Sequence, residues 1–410
     1  MSKYLLILYF LQGMISLFAC SVENQQNNPA ELEKSFQDSI ILPGAFQTEQ
    51  YFPLLKGKNI GLIINHTSTL GKTHLVDTLL KSGFAIQKIF GPEHGWKGEA
   101  ADGELVEDSS DKKRQIEVIS LYGKNKKPSS ESLEGIDLLV FDIQDVGTRF
   151  YTYISTLQYI MESAAENNIP VLVLDRPNPN GHFVDGPVLK KGYESFVGLQ
   201  AIPAVYGMTI GEYALMLNGE SWLDNGVKCD LTVIKCKNYD HNSYYELPVK
   251  PSPNLPNMRS VLLYPSLCFV EGTVMSEGRG TDYPFQLFGH PDLKYYSFTF
   301  VPEPNDGAPH PKLEGKQCFG KTFIDLRPEE IFEWKEIKLD YLVDAFQQFS
   351  GEKEDFFRKD QYMDKLYGSD ELRDLIKEGK TAAEIKKTWE KDIQAFLPLR
   401  KKYLLYPDFD

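Results

Sequence analysis

From Asn59 onward, short apolar runs alternate with longer amphipathic stretches. Asn59 to Ile64 (NIGLII), Leu138 to Phe141 (LLVF) and Pro170 to Leu174 are nearly all apolar, and Ile86 to Phe90 and Ile116 to Leu121 are mostly so. Runs of that length without polar alternation predict strands of a parallel sheet covered on both faces. Between them, Thr73 to Ser82 reads as a helix closed by Gly83, and Pro128 to Leu133 as a short helix. Phe150 to Glu166 reads as a long helix stopped by Asn167-Asn168. Thr209 and Glu212 have capping-box spacing, which predicts a helix running to about Leu217, and Trp222 to Cys236 brings a further strand. The alternation predicts a Rossmann-like α/β domain over residues 42–250. The proline-rich stretch Lys250 to Pro256 reads as a linker. After it the pattern changes: Met258 to Cys268 is helical and Glu271 to Pro291 is glycine-rich and polar. Tyr296 to Phe300 and Lys321 to Leu326 alternate like strands, and Leu339 to Phe349 and Glu371 to Leu397 look helical. This predicts a smaller α+β auxiliary domain over residues 251–410.

Polar residues collect where the strands end. Asn65 and His66, Glu93 and His94, Asp142 and Asp145, and Asp175 and Arg176 each follow a predicted strand. In a parallel sheet those positions share one edge, where open α/β sheets bind ligands. One such pair would read as solvated turn residues; four in succession predict a site. The stretch IQKIFGPEHGWKGEAAD (Ile86 to Asp102) is the centre of it. Gly91-Pro92 stops the strand, Glu93 and His94 follow together, and the loop up to Glu104 is a candidate flap. No GxGxxG, P-loop or GxSxG motif is present, so no nucleotide cofactor is expected. His66, Glu93, His94, Asp142 and Asp145 are ligand types for a metal, but no HExxH-like spacing supports one, and none is expected.

Composition narrows the partners. A formal net charge of −14 on 410 residues argues against nucleic acid. Lys3 followed by an uncharged apolar run, Tyr4 to Phe18, fits an export signal, and Ala19-Cys20 fits a lipoprotein processing site. Residues 1–20 are read as a lipoprotein signal peptide, Cys20 as lipidated, and residues 21–41 as a flexible tether. The expected location is the cell envelope, membrane-anchored and facing the periplasm or the cell surface. Cys229, Cys236, Cys268 and Cys318 are expected to be mostly buried thiols, the first two lying too far apart along one strand to bridge.

Five stretches then stand in order: GPEHG (Gly91 to Gly95), FDIQDVGTRFYTY (Phe141 to Tyr153), LDRPNPNG (Leu174 to Gly181), YGMTIGE (Tyr206 to Glu212) and EGTVMSEGRGTDYPF (Glu271 to Phe285). Together they closely resemble the NamZ-type exo-β-N-acetylmuramidases, over nearly all of the chain after Leu42. The resemblance implies a glycosidase with a Rossmann-like domain, a smaller auxiliary domain and a cleft near their junction. It implies release of N-acetylmuramic acid from the non-reducing ends of peptidoglycan fragments, in cell-wall turnover and recycling. Glu93, in GPEHG, is then the catalytic acid.

That chemistry needs a proton donor at the leaving oxygen and something to meet an oxocarbenium-like centre. Glu93 suits the donor in a partly desolvated cleft, with Asp142 and Asp145 as candidate repelling charges. His94 is as readily a scaffold residue as a catalyst. The second role is open between a carboxylate and the substrate's own 2-acetamido group. The lactyl carboxylate of muramic acid calls for a cation, best an arginine. Arg149, Arg176 and Arg279 lie in the matching motifs, and Arg279, among glycines, has the least obvious structural task. Asn65, His66, Tyr151 and Asp175 complete the candidate substrate-binding set. Two other readings carry different tests: a metal-dependent hydrolase, sensitive to chelators, and a non-catalytic peptidoglycan-binding lipoprotein, which would bind saccharide without turnover.

Overall fold

The computed structural model describes residues 40–98, 100, 104, 108–111 and 113–409. Cys20, the signal segment, the tether up to residue 39, and the flap positions Asp102 and Gly103 lie outside the described residues.

The apolar runs form one seven-stranded sheet. Its strands are β1 (Asn59–Ile64), β2 (Ala85–Gly91), β3 (Ser109–Asp111), β4 (Ile116–Ser120), β5 (Leu138–Asp142), β6 (Val171–Leu174) and β7 (Leu231–Ile234), in the order β3-β4-β2-β1-β5-β6-β7. All neighbours are parallel except the edge pair β3–β4. Leaving out β3, this is the strand order of a doubly wound nucleotide-binding-type sheet, with its direction of winding reversing between β1 and β5. Every residue of β5 and β6 is buried, as the apolar runs Leu138 to Phe141 and Val171 to Leu174 demand, with Asp142 buried at the end of β5.

Helices α1 (Thr48–Leu55), α2 (Leu75–Lys81), α3 (Tyr153–Glu166) and α4 (Ile210–Gly219) belong to this part of the chain. The capping box at Thr209 and Glu212 forms as its spacing predicts. Pro128 to Leu133 does not become a helix. It makes a set of turns, Leu133 NH reaching the Ser129 carbonyl at 3.2 Å, because its central residues are serines that bond their own backbone.

The remainder starts with α5 (Met258–Leu267) and holds a three-stranded antiparallel sheet, order β8-β10-β9, of β8 (Leu287–His290), β9 (Phe298–Phe300) and β10 (Cys318–Thr322). β8 lies in the glycine-rich, polar stretch Glu271 to Pro291, for which the pattern predicts no strand. Its Gly289 pairs with Gly320 of β10, so two bare backbones approach where side-chain alternation gives no signal. The long helical pattern Glu371 to Leu397 splits into Glu371–Lys377, Ala382–Lys387 and Glu390–Lys401. Gly379, at φ 80°, breaks it, and Thr381 with Glu384 caps the next piece.

Residues 41–410 form one compact unit, and one hydrophobic cluster runs through both parts, from Phe141 and Leu157 to Phe269, Tyr367 and Trp389. Cys229, Cys236, Cys268 and Cys318 are buried free thiols. The proline-rich stretch 250–256 is built in rather than slack. Prolines offer carbonyls without amide donors. The Pro251 carbonyl accepts the Tyr151 hydroxyl at 3.0 Å, the Lys250 carbonyl meets His66 Nε2 at 2.7 Å, and Ser252 and Leu255 are buried.

Candidate active site

A cleft of about 850 Å³ opens over the carboxyl edge of the sheet. The turns after β2, β4 and β5 wall one side of it, through Glu93, Tyr122 and Thr152. Tyr264, Glu277 and Arg279, from the second part of the chain, wall the other.

Glu93 is placed by a tightly wound turn. Gly95 NH bonds the Pro92 carbonyl at 2.9 Å and Gly98 NH the Gly95 carbonyl at 3.1 Å. His94 sits at φ 69°, a left-handed conformation that histidine tolerates better than most residues. Its Nδ1 meets the Ala100 carbonyl at 2.9 Å, so His94 holds the loop while standing in the cleft wall. Gly98 lies against the His66 imidazole, with no room for a Cβ, which ties the turn after β1 to the turn after β2. Glu93 is 8% exposed, and the Thr152 hydroxyl donates to its Oε2 at 2.6 Å. Thr152 occupies the N-cap of α3, but its hydroxyl makes no capping bond and serves Glu93 instead.

The opposite wall is a charge cluster. Arg279 Nη1 bonds Glu271 Oε1 at 2.6 Å and Glu277 Oε1 at 3.1 Å, and its guanidinium lies 4.9 Å from the Phe285 ring centre. Lys312 Nζ stands 2.7 Å from Glu277 Oε2. Burial alone would raise the Glu277 carboxyl, but Lys312 and Arg279 overcome it and hold its pKa at about 2. Arg358 joins the same wall. Tyr151 and Tyr264 lie edge to face at 5.9 Å and give the cleft an aromatic floor.

Of the candidates named from sequence, Glu93, His94, Tyr151 and Arg279 meet in the cleft wall. The others stand behind it. Asp142 and Arg176 form a fully buried pair, Arg176 Nε to Oδ1 at 2.5 Å and Nη2 to Oδ2 at 2.9 Å. Asp142 is therefore neutralised and cannot act as a repelling charge, and Arg176 has no reach to substrate. Arg149 makes four bonds, all to backbone carbonyls: Pro187, Ile202, Leu366 and Tyr367, at 2.6–2.9 Å. It braces the two parts of the chain from inside the core. Asp175 accepts from the Gly211 amide and the Thr209 hydroxyl at the start of α4, and from the Tyr406 hydroxyl near the C-terminus. Asn65 accepts from Thr67 NH and donates to the Tyr153 hydroxyl, shaping the turn after β1. His66 is also spent on structure, and burial lowers its pKa.

Asp145 is buried beneath the cleft, its Oδ2 accepting from Tyr206 and from Gly147 NH while Oδ1 has no hydrogen-bond partner among the described residues. Burial raises its pKa from 3.8 to about 6, against the pull of the hydrogen-bond donors around it, Tyr206 foremost. The folded state thus binds this proton more tightly than the unfolded chain does. Its stabilising contribution is complete below pH 3.8 and is lost as pH rises through about 6. Asp145→Asn should flatten the pH dependence of melting temperature between pH 4 and 6. Melting curves across that range check it, and an unchanged slope would refute it.

Among the described residues, no three His, Cys, Asp or Glu side chains stand together as a metal-binding set. Sequence reading missed Thr152, Glu271, Glu277 and Lys312. Two glutamates within eight residues of Arg279, Glu271 and Glu277, were a usable signal of a charge cluster. Lys312 follows a proline-rich stretch without periodicity, and only the tertiary fold brings it in.

A cleft with a hydroxyl-bonded, largely buried glutamate on one wall, aromatic rings on its floor and paired charges opposite is equipment for breaking glycosidic bonds. The class defined by fold and site is an α/β glycoside hydrolase. Residues 60–259 match the N-terminal family model, and residues 262–406 the C-terminal family model, of the exo-β-N-acetylmuramidase NamZ. The chain is 38% identical to the peptidoglycan β-N-acetylmuramidase NamZ of Bacillus subtilis (strain 168), over 98% of this chain and 99% of that one. Two crystal structures of DUF1343 family proteins from Bacteroides fragilis NCTC 9343 are similar throughout. One has a TM-score of 0.82 at 47% identity, covering 90% of this chain and all of the other; the second has 0.73 at 32%, covering 89% and 99%. The chain belongs to the NamZ family of exo-β-N-acetylmuramidases.

Proposed function

We propose that the protein removes N-acetylmuramic acid from the non-reducing ends of peptidoglycan fragments, with Glu93 protonating the leaving oxygen as the glycosidic bond breaks. The observation that carries this reading is the Glu93 carboxyl itself. One oxygen is held by Thr152, while Oε1 makes no hydrogen bond with the described residues, in the wall of a cleft large enough for a disaccharide. The direct test is hydrolysis of a chromogenic β-N-acetylmuramide beside the matching glucosaminide. Turnover of the muramide alone supports the reading; tight saccharide binding without turnover would favour a binding lipoprotein instead.

Arg279 supplies selectivity in this reading. The two sugars differ by the ether-linked lactyl group, so discrimination must come from charges that meet its carboxylate. The sequence offered Arg149 and Arg176 as rivals; both are buried and committed, and Lys312 and Arg358 of the cleft wall replace them. A charge-assisted contact contributes about 1.5–3 kcal/mol, or roughly ten- to a hundredfold. Arg279→Ala should lower the muramide-to-glucosaminide ratio of kcat/KM by that factor, with Arg279→Lys recovering part. Equal slowing of both substrates would assign Arg279 to the framework.

The N-terminal segment supports export and anchoring through Cys20. Cys20→Ser should move the protein out of the membrane fraction or block its processing. A soluble mature protein beginning downstream of Cys20 would end that reading.

A further inference from the structure

The loop that carries Arg279 into the cleft has a second side. There it bounds a shallow groove of about 450 Å³, walled by Gly280, Asp282, Tyr283, Phe298, Phe300 and Glu303. Gly289 and Gly320 face each other in the β8–β10 pair and leave a strip of sheet without side chains. Phe298 stands beside Gly320 in register, and a Cβ on Gly289 would lie 2.7 Å from the Phe300 ring. The two rings are 6.0 Å apart and 27° from parallel. Covering the glycines takes one face of a ring, and both phenylalanines remain partly exposed. Tyr283, 42% exposed, and Val301, 41%, extend the apolar floor. Asp282 and Glu303 are exposed, and their carboxylates make no hydrogen bond or ion pair with the described residues.

A run of ring faces beside unpaired carboxylates is the complement of a pyranose, which has a C–H face to stack and hydroxyls to donate. The sign of the charge selects further. Two carboxylates with no cation between them disfavour a sugar bearing a lactyl acid or a phosphate, and accept a neutral one. The groove also adjoins the cleft: Arg279 lies on one wall and Gly280 on the other, the Gly280 carbonyl accepting the Glu303 amide at 2.8 Å.

We propose that this groove is a second saccharide site, which holds neutral N-acetylglucosamine units of a glycan chain one loop away from the catalytic cleft. Its purpose rests on the muramidase reading, since a chain held there keeps its end at high local concentration beside the cleft. Its binding chemistry does not. Chitotetraose carries no muramic acid and so probes the groove without turnover. Titration calorimetry on the full chain should show it binding. Tyr283→Ala and Phe298→Ala should each weaken that binding about tenfold or more, with kcat/KM on a chromogenic muramide within about twofold of wild type. Tyr283→Ser, at an exposed position, gives the same readout should Phe298→Ala fail to fold. No binding by the wild type, or unchanged binding in the Tyr283 variants, overturns the groove. Loss of muramide turnover by the wild type overturns the catalytic reading and leaves the groove to be judged on chitotetraose alone.

Discussion

Glu93→Gln should cut hydrolysis of an unactivated muramyl disaccharide by about a thousandfold while saccharide binding persists. Glutamine keeps the shape of the side chain, and its amide oxygen still accepts the Thr152 hydroxyl that now reaches Oε2 at 2.6 Å. What it lacks is a proton to deliver to the departing oxygen. The loss must therefore depend on the leaving group. A nitrophenolate departs without help, so the same variant should lose only about tenfold on a nitrophenyl muramide. Equal losses on both substrates would mean that Glu93 does something other than donate a proton. A near-wild-type rate on the disaccharide would exclude it as the acid. The comparison needs steady-state rates on the two substrates and one binding isotherm.

Arg149→Met should be the most damaging change to the fold. Arg149 is fully buried, and burial lowers its pKa, but the guanidinium stays protonated at neutral pH and donates to four carbonyls. Without it, the Ile202 carbonyl keeps the Leu189 amide at 3.3 Å, while those of Pro187, Leu366 and Tyr367 lose their donors. Each bare buried carbonyl costs about 1–3 kcal/mol, so the total approaches the whole stability of many domains. The variant should be insoluble or melt at least about 10 °C lower. A melting temperature within about 2 °C of wild type would show that the brace contributes nothing. Arg149→Lys should not rescue it, because one ammonium cannot span carbonyls on two separate segments.

The parts of this molecule legible in the sequence are those written in one local period. β6 and the first four residues of β5 are apolar throughout because both faces of the sheet are covered, and Thr209 announces its helix by a contact three residues long. Glu93 was legible because a glycine and a proline must end its strand. Asp142 and Arg149 were misleading for a shared reason. A charged residue after a strand has the same appearance whether it faces a ligand or an internal partner, and the partners, Arg176 and four distant carbonyls, are matters of tertiary structure. β8 was invisible because close approach of Gly289 to Gly320 replaces side-chain alternation with its absence. Glu277 and Lys312 form a pair 35 residues apart that no spacing rule contains.

The seam between the two family models falls at residues 260–261, inside the first turn of α5, and every residue of that helix except Arg259 is buried. Recombination at that point would give each fragment a severed helix with apolar sides in water, and would separate Arg149 from the Leu366 and Tyr367 carbonyls it holds. The halves are thus poor currency for gene shuffling. Substitution in the loops that rim the cleft, by contrast, leaves α5 and the Arg149 brace intact and keeps both halves together.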